Sequence, residues 1–153
     1  MYSVGITFNV QMAHFHDKIH NEFCSTPHGH NQKIEIVFNA ENLDQSDIAC
    51  DYVAIETALK KYINSMDHAI LINSDSKHSV YFKTNFKRVI IFDKQDPTSE
   101  TVAKMVYNHV ADILKNGLDV TSETGTQYTI SKNIKVDYVK VWETEHLWAS
   151  YRR

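Results

Sequence analysis

Two alternating runs set the frame of this chain. From residue 2 to 13, Val4, Ile6, Phe8, Val10 and Met12 alternate with Ser3, Gly5, Thr7, Asn9 and Gln11. A period of two is the mark of a half-buried strand. His14 continues the apolar parity, so it leaves the strand on the core-facing side. A second strand is expected from about His28 to Ala40, with His30, Ile34, Ile36 and Phe38 on one face. The two runs suit an antiparallel pair. Their connection, Phe15 to Pro27, lacks periodicity and reads as loop.

Five of the nine histidines lie between His14 and His30, together with Cys24, one of only two cysteines. His28 and His30 flank Gly29, so both imidazoles point to one face, within reach of a single metal. His14, leaving the neighbouring strand on the core side, is the best third ligand. Three neutral imidazoles with an open position form the pattern of a catalytic zinc site rather than a closed structural one. The competing reading is a set of metal-free core or surface histidines. His16 and His20 sit in the loop and read as solvated. Cys24 is open to three readings: a ligand, a nucleophile or base activated by a nearby cation, or an inert small side chain. Cys50, just before a helix, reads as packing.

Beyond the strands, Asp51 is a plausible helix cap. Tyr52, Ile55, Leu59, Tyr62 and Met66 form an apolar stripe after it. Asp67-His68 follows, either an acid/base pair brought together by a turn or a histidine at a helix C-terminus. A short apolar piece spans Ala69 to Ile72, residues 74–87 read as loop, and Arg88 to Phe92 as a short strand. Pro97-Thr98-Ser99-Glu100 starts a second helix, with Val102, Met105, Val106, His109, Val110 and Ile113 as its stripe and Asn116-Gly117 as its end. Residues 118–132 read as a loop or hairpin extension. A last strand runs from Ile134 to about Thr144. Glu143 near its end either continues a buried face, able to grip a guanidine-like edge with two hydrogen bonds, or is a solvated strand end.

These elements predict one α+β domain over residues 1–153, an antiparallel four-stranded sheet with two helices on one face. Open sheet edges in so small a sheet invite oligomerisation. Sixteen basic against nineteen acidic residues, a net charge of -3, leave no basic footprint for nucleic acid. No run is long and apolar enough for a membrane span, and Met1 to Val10 has no basic start of the kind a signal peptide carries. Two cysteines make no disulfide framework, and a cytoplasmic location is expected.

The ordered set Met12-Ala13-His14, Cys24 with His28-Gly29-His30-Asn31, Asp51-Tyr52, Met66-Asp67-His68 with Leu71 and Asn73, Pro97-Thr98-Ser99-Glu100 and Val141-Trp142-Glu143-Thr144 with Ala149 and Tyr151 resembles the 6-pyruvoyltetrahydropterin and 6-carboxytetrahydropterin synthase family. The resemblance spans almost the whole chain. It implies a tunnelling fold (T-fold): a trimeric β-barrel, two of which stack into a homohexamer, with active sites between subunits. It implies that Zn2+ is held by His14, His28 and His30, that Cys24 abstracts a proton, and that His68 with Asp67 is the relay partner. It further implies that Glu143 anchors a pterin ring, with Thr98 and Ser99 also at the substrate. The implied substrate is 7,8-dihydroneopterin triphosphate.

The three residues between Cys24 and His28 resemble the carboxy branch, which releases acetaldehyde and triphosphate on the queuosine route. The alternative is the pyruvoyl branch of tetrahydrobiopterin synthesis. Gln32, where the family carries an aromatic, and the long polar segment 118–132 depart from the pattern. Lys18 is a candidate for triphosphate. A cupin is a poorer match: the glycines flanking its histidine motif are replaced here by Glu22 and Asn42, and two amphipathic helices suit that fold badly. A zinc-stabilised binding module would need Cys24 as a fourth ligand.

Overall fold

The computed structural model describes residues 1–153. Strand β1 (Tyr2–His14) and strand β2 (His28–Ala40) pair antiparallel over their whole length, Tyr2 opposite Ala40 and His14 opposite His28. The connection between them carries one helical turn, α1 (Glu22–Ser25), capped by the Asn21 side chain. Helix α2 (Tyr52–Met66) begins at Asp51, whose carboxylate accepts from the Val53 and Ala54 amides at 2.7 and 3.2 Å. Such a cap contributes about 1 kcal/mol. Strand β3 (Ala69–Asn73), helix α3 (Ser79–Asn85) and strand β4 (Val89–Phe92) follow. Helix α4 (Ser99–Leu114) is capped by Thr98 and leads to a hairpin, β5 (Leu118–Thr121) and β6 (Gln127–Ile130). Strands β7 (Lys135–Trp142) and β8 (Trp148–Arg152) close the chain.

The α+β class holds, but the sheet is larger and less uniform than the sequence suggests. It has six strands in the order β4-β3-β1-β2-β7-β8, and the β5-β6 hairpin stands apart. β3 runs parallel to both β1 and β4, so the sheet is mixed rather than antiparallel. The short apolar piece after Asp67-His68 is the added strand β3, and the chain's tail is the edge strand β8. There are four helices, two of them short.

Alternation sorts the two faces as the sequence predicts. Val10, Met12, Ile34, Ile36, Phe38, Val139 and Val141 are buried in one core with α2 and α4. Full burial of a side chain such as Phe38 or Ile36 contributes about 2 kcal/mol. The helical stripes are rotated from the expected ones. α2 buries Ala54, Ile55, Leu59, Ile63 and Met66, and leaves Tyr52 exposed. α4 buries Val102, Ala103, Val106, Tyr107, Val110 and Leu114. Tyr62 and His109, on the flanks of these stripes, stack face to face at 3.5 Å and join the two helices. α3 falls in the segment expected as loop; it is held by Phe82, whose ring packs on the buried Phe15 at 5.5 Å.

The opposite face of the sheet stays polar and aromatic. Lys33 lies over Trp142 and Lys140 over Trp148, each at 4.4 Å. No helix is long and apolar enough to cross a membrane.

Candidate metal centre and active site

His14 and His28 are opposite one another at the ends of β1 and β2, and His30 lies two residues further along β2 on the same face. The three rings converge, with centroids 4.7 Å (His14–His28), 5.2 Å (His14–His30) and 4.9 Å (His28–His30) apart. A tetrahedral ion about 2.1 Å from each ligating nitrogen would hold ring centroids about 5 Å apart. Glu143, just past the end of β7, completes a group whose ligand atoms all lie within 4.8 Å of one another.

Outer contacts fix which nitrogens face inward. His14 Nδ1–H donates to the Pro97 carbonyl at 2.8 Å, and His28 Nδ1–H donates to the Thr26 carbonyl at 2.7 Å. A carbonyl only accepts, so in both rings the proton sits on Nδ1 and Nε2 is left with a free lone pair. This is the arrangement in which an outer hydrogen bond orients a metal-binding imidazole. The Nε2 atoms of His14 and His30 are buried without any hydrogen-bond partner. A buried nitrogen without a partner is costly, and a bound cation would satisfy both.

Burial pushes the His14 imidazolium down to about 4, against the opposing pull of the Pro97 carbonyl. Burial also lowers His30, with Glu143 acting the other way. Both rings are therefore neutral near pH 7 and need lose no proton to bind a metal. The residues present thus fit Zn2+, with His14, His28 and His30 as nitrogen ligands.

The other site candidates are placed differently from one another. Ser99 joins the cluster: its hydroxyl donates to Glu143 Oε2 at 2.9 Å. Thr98 is occupied with capping α4, its hydroxyl accepting from the Thr101 amide. Cys24 sits on α1, partly exposed and outside the converging group; its carbonyl accepts from the amide of His16, two residues past His14, at 2.9 Å.

Asp67 and His68 do come together. His68 adopts a left-handed backbone with φ 59°, the turn that adjacent residues need in order to meet. His68 Nδ1 lies 2.8 Å from Asp67 Oδ2, while Asp67 Oδ1 accepts from the Gln11 amide at 2.9 Å. That amide, and then His68, hold the Asp67 carboxyl below the usual range. The pair is not among the four converging donors. His68 and His30 both line a cavity of about 660 Å³, walled by Met12, Ala13, Phe86 and Arg88.

His16 and Asp96 stand apart from what the sequence suggests. His20 is exposed as expected, but His16 is buried at 6 % exposure. Its ring stands edge-on to His14 at 4.7 Å, and its Nδ1 has no partner. Phe15 beside it is buried too, so the loop beyond β1 folding onto the core, and not strand parity, encloses it. Asp96 is the missed residue. It is 7 % exposed, and its carboxylate accepts from the Lys18 amide at 2.9 Å and from Asn73 Nδ2 at 2.8 Å. It fastens the histidine-rich loop to Asn73 at the end of β3 and to the segment that carries Pro97. Lys18 itself turns its ammonium to the Lys94 carbonyl at 3.1 Å.

A family model described as 6-pyruvoyl tetrahydropterin synthase matches residues 3–153. The chain belongs to this family. Among its relatives is a 6-carboxy-5,6,7,8-tetrahydropterin synthase of Aquifex aeolicus, 28% identical over 133 residues, covering 84% of this chain and 75% of the relative. A protein of the same name from Rickettsia conorii is 25% identical over 127 residues, covering 82% of each. The fold recurs in the uncharacterized protein WS1659 of Wolinella succinogenes, with a TM-score of 0.73 at 16% identity, over 99% of this chain and 97% of that one. It recurs also in the 6-pyruvoyl tetrahydropterin synthase of Plasmodium falciparum, with a TM-score of 0.65 at 16% identity, over 99% and 98%. At such identity these solved structures speak for the fold alone.

Proposed function

We propose that this chain is a zinc-dependent lyase that converts 7,8-dihydroneopterin triphosphate to 6-carboxy-5,6,7,8-tetrahydropterin, releasing acetaldehyde and triphosphate, on the route to queuosine. One observation carries the reading. In a chain of this family, His14, His28 and His30 converge with Glu143 on a single point, and the inward nitrogens of His14 and His30 are buried without partners. The relatives named 6-carboxy-5,6,7,8-tetrahydropterin synthase support the carboxy branch.

Zinc, when bound, supplies Lewis acidity toward the oxygens of the substrate side chain. Glu143 presents a carboxylate to the guanidine-like edge of the pterin, which offers two parallel N–H donors, and Ser99 orients that carboxylate. Cys24 takes a proton as the base, its carbonyl accepting from the His16 amide. His68, with Nδ1 against Asp67, keeps Nε2 for the second proton transfer. The working site lies between subunits, as the family resemblance implies. The free edges of β4 and β8 suit closure into a trimeric barrel and a hexamer of two trimers.

The test is incubation of zinc-loaded protein with 7,8-dihydroneopterin triphosphate and identification of the products by mass. A 6-carboxy pterin with acetaldehyde is expected. A pyruvoyl pterin would place the chain in the other branch, and no conversion would refute both.

A further inference from the structure

Glu143 and His30 meet in a way that no hydrogen bond explains. Glu143 Oε1 lies 3.1 Å from His30 Nε2, yet that nitrogen, buried, makes no hydrogen bond. The distance suits a hydrogen bond and the direction does not. Two ligands of one tetrahedral ion, with bonds of about 2.0–2.1 Å, stand about 3.4 Å apart with their lone pairs turned toward a common centre. The separation from His30 and the inclusion of Glu143 among four donors within 4.8 Å fit that second description.

The carboxylate is held for it. The Glu143 amide donates to the Leu147 carbonyl at 2.9 Å, fixing the backbone just past β7, and the Ser99 hydroxyl holds the other oxygen, Oε2, at 2.9 Å. At 30% side-chain exposure, Glu143 is also within reach of an arriving molecule.

We infer that Glu143 is the fourth metal ligand of the substrate-free protein, closing the position that a substrate needs, and that an arriving pterin opens it. The inference deepens the pterin reading above and rests on it for the opening step. A carboxylate gripping a pterin edge uses both oxygens, so Oε1 must leave the metal when the ring docks. Ring recognition and access to the metal then become one event. A molecule with a suitable hydroxylated side chain but no guanidine-like edge would find the position closed.

The test replaces zinc by Co2+ in metal-free protein and reads the visible absorption, whose band positions and pH dependence report whether the fourth ligand is a carboxylate or a water. The wild type should give the intense bands of a four-coordinate site, unchanged across neutral pH. Glu143→Gln, with water in place of the carboxylate, should give bands that shift as that water ionises and lose at least about tenfold in Co2+ affinity, measured against a competing chelator. Ser99→Ala, which keeps the carboxylate, should retain the wild-type bands. Oxidised neopterin, an unreactive probe, should shift the wild-type spectrum toward the Glu143→Gln form. If Glu143→Gln fails to fold, the wild-type spectrum with and without neopterin decides alone. Wild-type and Glu143→Gln spectra and affinities within twofold of one another would overturn the inference. So would neopterin that binds, by its fluorescence, without moving the cobalt bands. Either result leaves the pterin reading standing if dihydroneopterin triphosphate is still turned over. Wild-type protein that binds no cobalt overturns both.

Discussion

Replacing Asp96 by Ala tests how the histidine-rich loop is held to the rest of the molecule. The carboxylate is almost fully buried and no Lys, Arg or His lies within ion-pair range of it. Its two acceptor bonds therefore carry its whole compensation, from the Lys18 amide and from Asn73 Nδ2. Removing it leaves Asn73 Nδ2 buried at 2% exposure without that partner, and frees a partly buried amide. A hydrogen bond to a charged group contributes about 1.5–3 kcal/mol, and relief of the buried charge offsets part of the sum, so a net loss of about 3 kcal/mol is expected. Asp96→Asn keeps one acceptor and should lose about half as much. The assay is urea unfolding of the metal-free protein, so that ligand binding does not mask the effect. With a slope of about 2 kcal/mol per molar, Asp96→Ala should lower the midpoint by about 1.5 M. Because Pro97, the acceptor for His14, is the next residue, the variant should also bind Zn2+ about tenfold more weakly. A midpoint within about 0.3 M of the wild type would refute the argument that Asp96 pins the loop.

Cys24→Ala should retain zinc and fold while losing turnover; zinc lost on dialysis would instead make Cys24 a ligand and support a structural site. His28→Ala should lower zinc content well below one per chain, measured by elemental analysis, because it removes one of three converging nitrogens. Gly117→Ala should destabilise the protein by more than about 1 kcal/mol in thermal unfolding, since Gly117 has φ +79° and an added Cβ would lie 2.9 Å from the Ile130 carbonyl. Burial holds the His109 pKa below 6.5, with Asp112 opposing. The unfolded chain therefore takes up this proton first as pH falls, so His109 costs stability below pH 6.5 and not above it. His109→Phe, which keeps the stack on Tyr62, should flatten the stability profile on the acid side of pH 6.5, and an unchanged profile would refute the assignment.

What the sequence made legible follows from the length and period of each element. β1 and β2 stand where the alternation places them, because thirteen-residue runs leave no ambiguity of register. α2 and α4 were visible from caps and stripes, but the stripes turned toward Ala54, Ala103 and Tyr107, since small and aromatic residues carry weak apolar signals and packing decides them. β3, β4 and β8 are four or five residues long, too short for periodicity to say which strand each joins or in which direction. The convergence of His14, His28 and His30 was readable from strand parity alone. The membership of Glu143 in that group was not, because it depends on β7 pairing with β2, a contact between residues more than a hundred positions apart. His16 lies beyond the end of β1, where the loop encloses Phe15 and His16 alike, and no periodicity in the sequence marks such a loop as buried.

If the three imidazoles hold a metal on which pterin chemistry depends, titrating metal-free protein with Zn2+ while following acetaldehyde release from 7,8-dihydroneopterin triphosphate will show it. Activity should rise linearly and saturate at one zinc per chain, and chelation should abolish it reversibly. Acetaldehyde release that persists after zinc is stripped, or zinc-saturated protein that releases none, would rule this role for the metal out.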